Sequence, residues 1–70
     1  MDEFLTKVAD ILEVNSVTPE VEFRTVGDWD SLKGFSIIVL MEQDYGKIMS
    51  VEAFLACNTV HDLASFAGVL

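Results

Sequence analysis

Apolar residues recur at helical period from Asp2 to about Val14. Phe4, Leu5, Val8, Ile11 and Leu12 fall at i, i+1, i+4, i+7 and i+8, a single stripe on a helix. Thr6, Lys7, Asp10 and Glu13 take the opposite face, and Asp2 and Glu3 complement the dipole in the first turn. The period then breaks at Asn15 and Ser16. Thr18-Pro19-Glu20 predicts a turn or one short helical turn, with proline suited to the first helical position. Beyond it Val21, Phe23 and Val26 are spaced to pin a long loop to a core, and Gly27 marks an unusual backbone angle.

A second helix is expected from Ser31 to about Tyr45, closed by Gly46 as its left-handed stop. Its apolar residues, Leu32, Phe35, Ile37, Ile38, Val39, Leu40, Met41 and Tyr45, cover most of its circumference. A helix apolar nearly all round is central to its fold or meets a partner as well as a core. Gly34 weakens it by roughly 1 kcal/mol against alanine, and suggests close approach of another backbone. Ser50 can cap a short third helix, Val51 to about Ala56, with Phe54 and Leu55 facing inward. Thr59 caps a fourth, with Asp62 in a capping-box position, an inner stripe of Val60, Leu63, Ala64 and Ala67, Phe66 beside it, and Gly68 as its stop. Nothing reads as a strand. The expectation is an all-α four-helix bundle with three longer helices, one short one and a long first loop.

Composition sharpens this. Seventy residues make a single domain, 1–70, and one this small buries only about 60% of its unfolded surface. Its 51% hydrophobic content therefore serves a dense core and, in addition, an exposed apolar patch. Met41 and Met49 read as core fillers, Tyr45 as the closure of the core at the helix end, and Cys57 as a small hydrophobe between the third and fourth helices. The longest unbroken apolar run, Ile37 to Met41, is far short of the ~20 residues a bilayer requires. The acidic start, Met1-Asp2-Glu3, is unlike a signal peptide, so the expected location is the cytoplasm. A net charge of -8 disfavours nucleic acid and favours partners with basic patches. One cysteine and one histidine exclude a structural zinc site.

The candidate chemistry lies at Asp28-Trp29-Asp30-Ser31-Leu32. Serine at a helix start can be a mere cap. A Ser-His-Asp reading would draft His61 and Asp62, but adjacent helical residues do not face each other, and no pocket is expected in so small a bundle. An EF-hand reading of Asp28-Trp29-Asp30 fails, because Leu32, Lys33 and Val39 stand where a ligand, Gly and Glu are needed.

Taken with Met41-Glu42-Gln43-Asp44-Tyr45-Gly46 and Asn58-Thr59-Val60-His61-Asp62-Leu63, the Asp30-Ser31-Leu32 tripeptide resembles the acyl carrier proteins, in the branch with a tryptophan just before it. The resemblance spans nearly the whole chain. It implies a free-standing, non-enzymatic carrier, with 4'-phosphopantetheine attached covalently to Ser31 and an acyl group held on the arm as a thioester. Asp30 and Leu32 belong to the implied attachment motif, and Trp29 reads as an anchor holding the serine's turn against the bundle. Leu32 is expected to be partly buried. Phe35 and Val39, at i+4 and i+8 from Ser31, are expected to form a partner patch extended by Glu42, with Asp28 among the acids that recognise a basic transferase surface.

The implied partners are a phosphopantetheinyl transferase and acyl-loading, condensing or transferring enzymes with basic and apolar docking patches, meeting a monomer. Lys33 and Ser36 depart from the fatty-acid-synthesis pattern, which sets acids two and five residues after the serine, and there is one extra residue between Gly27 and Ser31. Both point to a specialised lipid, polyketide or other secondary pathway. The alternatives are a peptidyl or aminoacyl carrier, which usually has glycine-rich residues around the serine, and an unmodified helical interaction module.

Overall fold

The computed structural model describes residues 1–70 as four helices without a strand: α1 (Asp2–Leu12), α2 (Ser31–Tyr45), α3 (Val51–Ala56) and α4 (Val60–Ala67), with a 3-10 turn at Phe23–Thr25 in the first loop. The architecture is the expected all-α bundle with its long first loop. The helix starts at Ser31, Val51 and Val60 fall where the caps placed them. Helix α1 stops two residues before the expected Val14. Glu13 enters the left-handed region at φ 59°, and the N–H of Val14 turns back to the carbonyl of Ala9 at 3.0 Å, a helix-terminating pattern.

The core is drawn from every element. Phe4, Val8 and Leu12 of α1 are buried with Ile37 and Met41 of α2, Val60, Leu63, Ala64 and Ala67 of α4, and Phe23 of the loop. Met49, Phe54 and Cys57 complete it around the short third helix. Tyr45 is half-buried, its ring edge-on to Phe4 at 5.4 Å. Lys7 ties α1 to the end of α2, with Nζ 3.0 Å from Asp44 Oδ2.

The first loop is hydrogen-bonded to the last helix. Four N–H groups at a helix start lack intrahelical partners, and α4 finds one for each. The N–H of Val60 donates to the Val21 carbonyl and that of His61 to the Pro19 carbonyl, both at 2.9 Å. The N–H of Asp62 donates to Thr59 Oγ1 at 3.2 Å, and that of the N-cap Thr59 to Asp62 Oδ2 at 3.1 Å. Asp62 completes the capping box by accepting from the N–H groups of Asn58 and Thr59. The long connection is thereby a packed segment, held by Phe23 below and by α4 alongside.

Two expectations for side-chain placement are corrected. Leu55 does not face inward. It is 63% exposed, because Phe54 occupies the inner face of a helix only six residues long. Leu32 is 73% exposed, since no element packs over the first turn of α2 at that point.

Candidate functional site

Ser31 is the first residue of α2 and is exposed. The preceding Asp30 is extended, and its Oδ1 accepts from the N–H of Lys33 at 3.0 Å. The Asp30 carbonyl accepts from the N–H of Gly34. The N–H groups of Ser31 and Leu32 have no partner within the protein. A phosphodiester on the Ser31 hydroxyl would therefore meet two open donors and the positive end of a 15-residue helix. Those features fit a phosphate-linked group.

The turn before the serine is held on both sides. Gly27 lies at φ 59°, and a Cβ there would stand 3.1 Å from the Leu12 carbonyl. Only glycine suits that angle together with that approach. Lys33 Nζ donates to the Asp28 carbonyl at 2.5 Å and lies 4.0 Å from Glu13 Oε1. The lysine that replaces an expected acid is thus spent on bracing the loop. Its side chain is 11% exposed.

Trp29 is half-buried and anchors the turn as expected, through rings. It stands edge-on to Phe23 at 5.6 Å and stacks with Phe54 at 6.3 Å with 14° between planes. Gly34 makes this possible. It is approached by side chains where another backbone was expected: a Cβ there would lie 3.2 Å from Phe54 Cζ and 3.3 Å from Trp29 Cζ2.

A cleft of about 360 Å³ opens beside Ser31, between α2 and α3. This corrects the expectation that so small a bundle has no pocket. The missing side chain at Gly34 lets the rings of Trp29 and Phe54 lie low against α2, while Phe35 and Ile38 on one side and Val51 and Leu55 on the other stand up as walls. Phe35 and Val51 are each 65% exposed. Val39 is 37% exposed, Glu42 and Asp28 are exposed, and Ser31, Phe35 and Val39 follow one another along one flank of α2.

Arg24 was not singled out by sequence reasoning. Its Nη1 donates to the Cys57 carbonyl at 2.6 Å and its Nη2 to the Phe54 carbonyl at 2.7 Å. The guanidinium lies over the rings of Phe23 and Phe54, at 4.6 and 4.7 Å from their centroids. It lines the cleft and clamps the end of α3. The local signal was a solitary base in a long loop of a strongly acidic chain, and that alone does not name its acceptors.

The remaining reactive groups lie elsewhere. Cys57 is buried, and burial pushes its thiol up from the usual range, with Asp62 adding to the shift and Arg24 opposing it. That disfavours the nucleophilic thiolate. His61 is exposed at the start of α4, separated from Ser31 in the chain by two helices. No group of three or more His, Cys, Asp or Glu side chains could hold a metal ion, and no helix is long and apolar enough to cross a membrane.

Comparison with curated proteins and with solved structures gives no match. A family model described as the phosphopantetheine attachment site matches residues 2–67, almost the full chain and all four helices. With an all-helical bundle and an exposed serine opening its second helix, the chain belongs to this family of carrier proteins, whose domain is the attachment site for covalently bound 4'-phosphopantetheine.

Proposed function

We propose that Ser31 carries the arm, and that residues 1–70 act as one carrier domain presenting an acyl or related thioester to successive enzymes of a specialised lipid, polyketide or other secondary pathway. The observation that carries this is the placement of Ser31: an exposed hydroxyl at the start of α2, beside two unpartnered N–H groups and at the lip of an apolar cleft. The carboxylate next to Ser31, that of Asp30, is engaged in capping the N–H of Lys33, which supports reading the chain as an acceptor and a docking surface. In the loading step the Ser31 hydroxyl oxygen bonds to the pantetheine-side phosphorus of coenzyme A. The adenosine bisphosphate leaves, and the hydroxyl proton passes to a base of the transferase. The bound arm supplies a thiol on which cargo is held as a thioester.

Asp28, Asp30 and Leu32 offer the transferase two acids and an exposed apolar side chain around the serine. Phe35, Val39 and Glu42 continue that surface down α2 toward pathway enzymes. Their exposure supports this reading, as does the charge distribution. Twelve acids against four bases give a net charge of -8, so the outward field is acidic and steers basic surfaces into encounter.

Incubation with coenzyme A and a broad-specificity phosphopantetheinyl transferase tests this by intact mass. The expected result is a single phosphopantetheine adduct on the wild-type chain and none on Ser31→Ala. An unmodified wild-type chain would leave a helical interaction module as the better reading, and an equal gain in the variant would move the site elsewhere.

A further inference from the structure

We infer that Lys33 is a positioning residue for modification of Ser31: its ammonium closes the peptide entering α2 into a ring and so sets the direction in which the serine hydroxyl meets the transferase. The inference rests on Ser31 being the attachment residue.

The peptide before the serine has little else to fix its backbone. Val26, Gly27, Asp28 and Trp29 make no backbone–backbone hydrogen bond, and the bond from Lys33 Nζ to the Asp28 carbonyl at 2.5 Å is the single hydrogen bond of that stretch. Gly27 rests against the end of α1 by close approach, and Trp29 is held by its ring. Neither contact decides how the Asp28 peptide group is turned, and the ammonium does. The N–H of the same lysine donates to Asp30 Oδ1 at 3.0 Å. Lys33 therefore grips Asp28 through its side chain and Asp30 through its main chain, with Ser31 enclosed within the ring.

The lysine side chain is not offered to a partner. It is 11% exposed on a turn where Ser31 and Leu32 are exposed, and its ammonium is turned back to within 4.0 Å of Glu13 Oε1. A transferase meeting the start of α2 meets Asp28, Asp30 and Leu32, all exposed. Any effect of Lys33 on the reaction thus passes through the turn. In that reaction the Ser31 oxygen bonds to the pantetheine-side phosphorus of coenzyme A, adenosine bisphosphate leaves, and a base of the transferase takes the hydroxyl proton. The displacement needs oxygen and phosphorus aligned at near-contact distance, and a misplacement of about 1 Å costs on the order of 10²-fold in rate.

Charge alone makes the opposite prediction. Without Lys33 the chain is more acidic, and electrostatic steering toward a basic surface strengthens. Loss of a positioning bond instead slows the transfer step.

The test is single-turnover transfer with transferase and coenzyme A in excess over the carrier, followed by intact mass at quenched times. The half-saturating transferase concentration reports docking, and the maximal rate reports transfer. Lys33→Met is expected to lower the maximal rate by about tenfold without raising the half-saturating concentration. Lys33→Arg, which returns a long cationic donor to the Asp28 carbonyl, should recover most of that rate. Circular dichroism and urea midpoints at the assay temperature establish that the variants are folded. A merely structural role would lower the midpoint and leave the maximal rate of the folded protein at the wild-type value, which would overturn the inference. Weaker docking at an unchanged maximal rate would overturn it too, and so would Lys33→Arg transferring as slowly as Lys33→Met. If Lys33→Met does not fold, Lys33→Gln, whose stem is one bond shorter, takes its place with the same outcomes. No adduct on the wild-type chain, or an adduct on Ser31→Ala, would instead sink the attachment reading.

Discussion

Arg24 reaches from the first loop to both carbonyls at the end of α3 and lies flat over two rings of the stack. Hydrogen bonds to charged groups contribute about 1.5–3 kcal/mol, and the planar fork matches two carbonyls in a way an ammonium does not. Arg24→Ala should therefore destabilise the protein by roughly 2–3 kcal/mol, with Arg24→Lys recovering less than half of the loss. Urea unfolding midpoints check this, and a lysine variant as stable as wild type would show that charge alone suffices. At this scale legibility divides by mechanism. Gly27, Gly46 and Gly68 announced their positive φ angles because glycine is what such angles require. Gly34 did not announce the Phe54 ring it receives, nor Arg24 its carbonyls, because both depend on groups distant in the chain. Leu55 was misplaced because periodicity over six residues does not decide which of two adjacent apolar side chains takes the inner face.

Helix α4 shows what a well-specified element looks like. The pattern Thr59-Val60-His61-Asp62-Leu63 predicts a cap, a reciprocal box and an inner stripe, and all three are present. The N–H groups of Asn58 and Thr59 hold the Asp62 carboxyl below its ordinary value of 3.8. A carboxyl with a depressed pKa in the folded state contributes stability that is present above the unfolded value and is lost as pH falls through the folded one. Asp62→Asn keeps a neutral acceptor but removes that titration. Its stability should fall less steeply than wild type between about pH 5 and pH 2, as read by urea midpoints across that range. Identical slopes would contradict the role given to these hydrogen bonds. The ends of α2, α3 and α4 were equally legible from their caps and stops. The end of α1 was not, since Glu13 adopts φ 59° without being glycine. Nor was the 3-10 turn, whose three residues carry no period.

Across the whole molecule, the fold followed from the stripes of α1 and α4 and from the density of apolar residues in a short chain. The charge pattern had a second half that composition concealed. Twelve acids and four bases state the excess, but only the structure shows three of those bases turned to internal acceptors. The cleft was hidden for a related reason: it arises where α2, α3 and the first loop converge, and each supplies only part of its lining. The central claim is that one particular hydroxyl of this molecule receives the arm, and the chain offers four other serines, Ser16, Ser36, Ser50 and Ser65, as internal controls. The most direct measurement is fragmentation mass spectrometry of the chain after transferase treatment with coenzyme A. The account predicts the phosphopantetheine mass on the fragment containing Ser31, with the other four serines unmodified; the mass on any of those four, or on none, would contradict it.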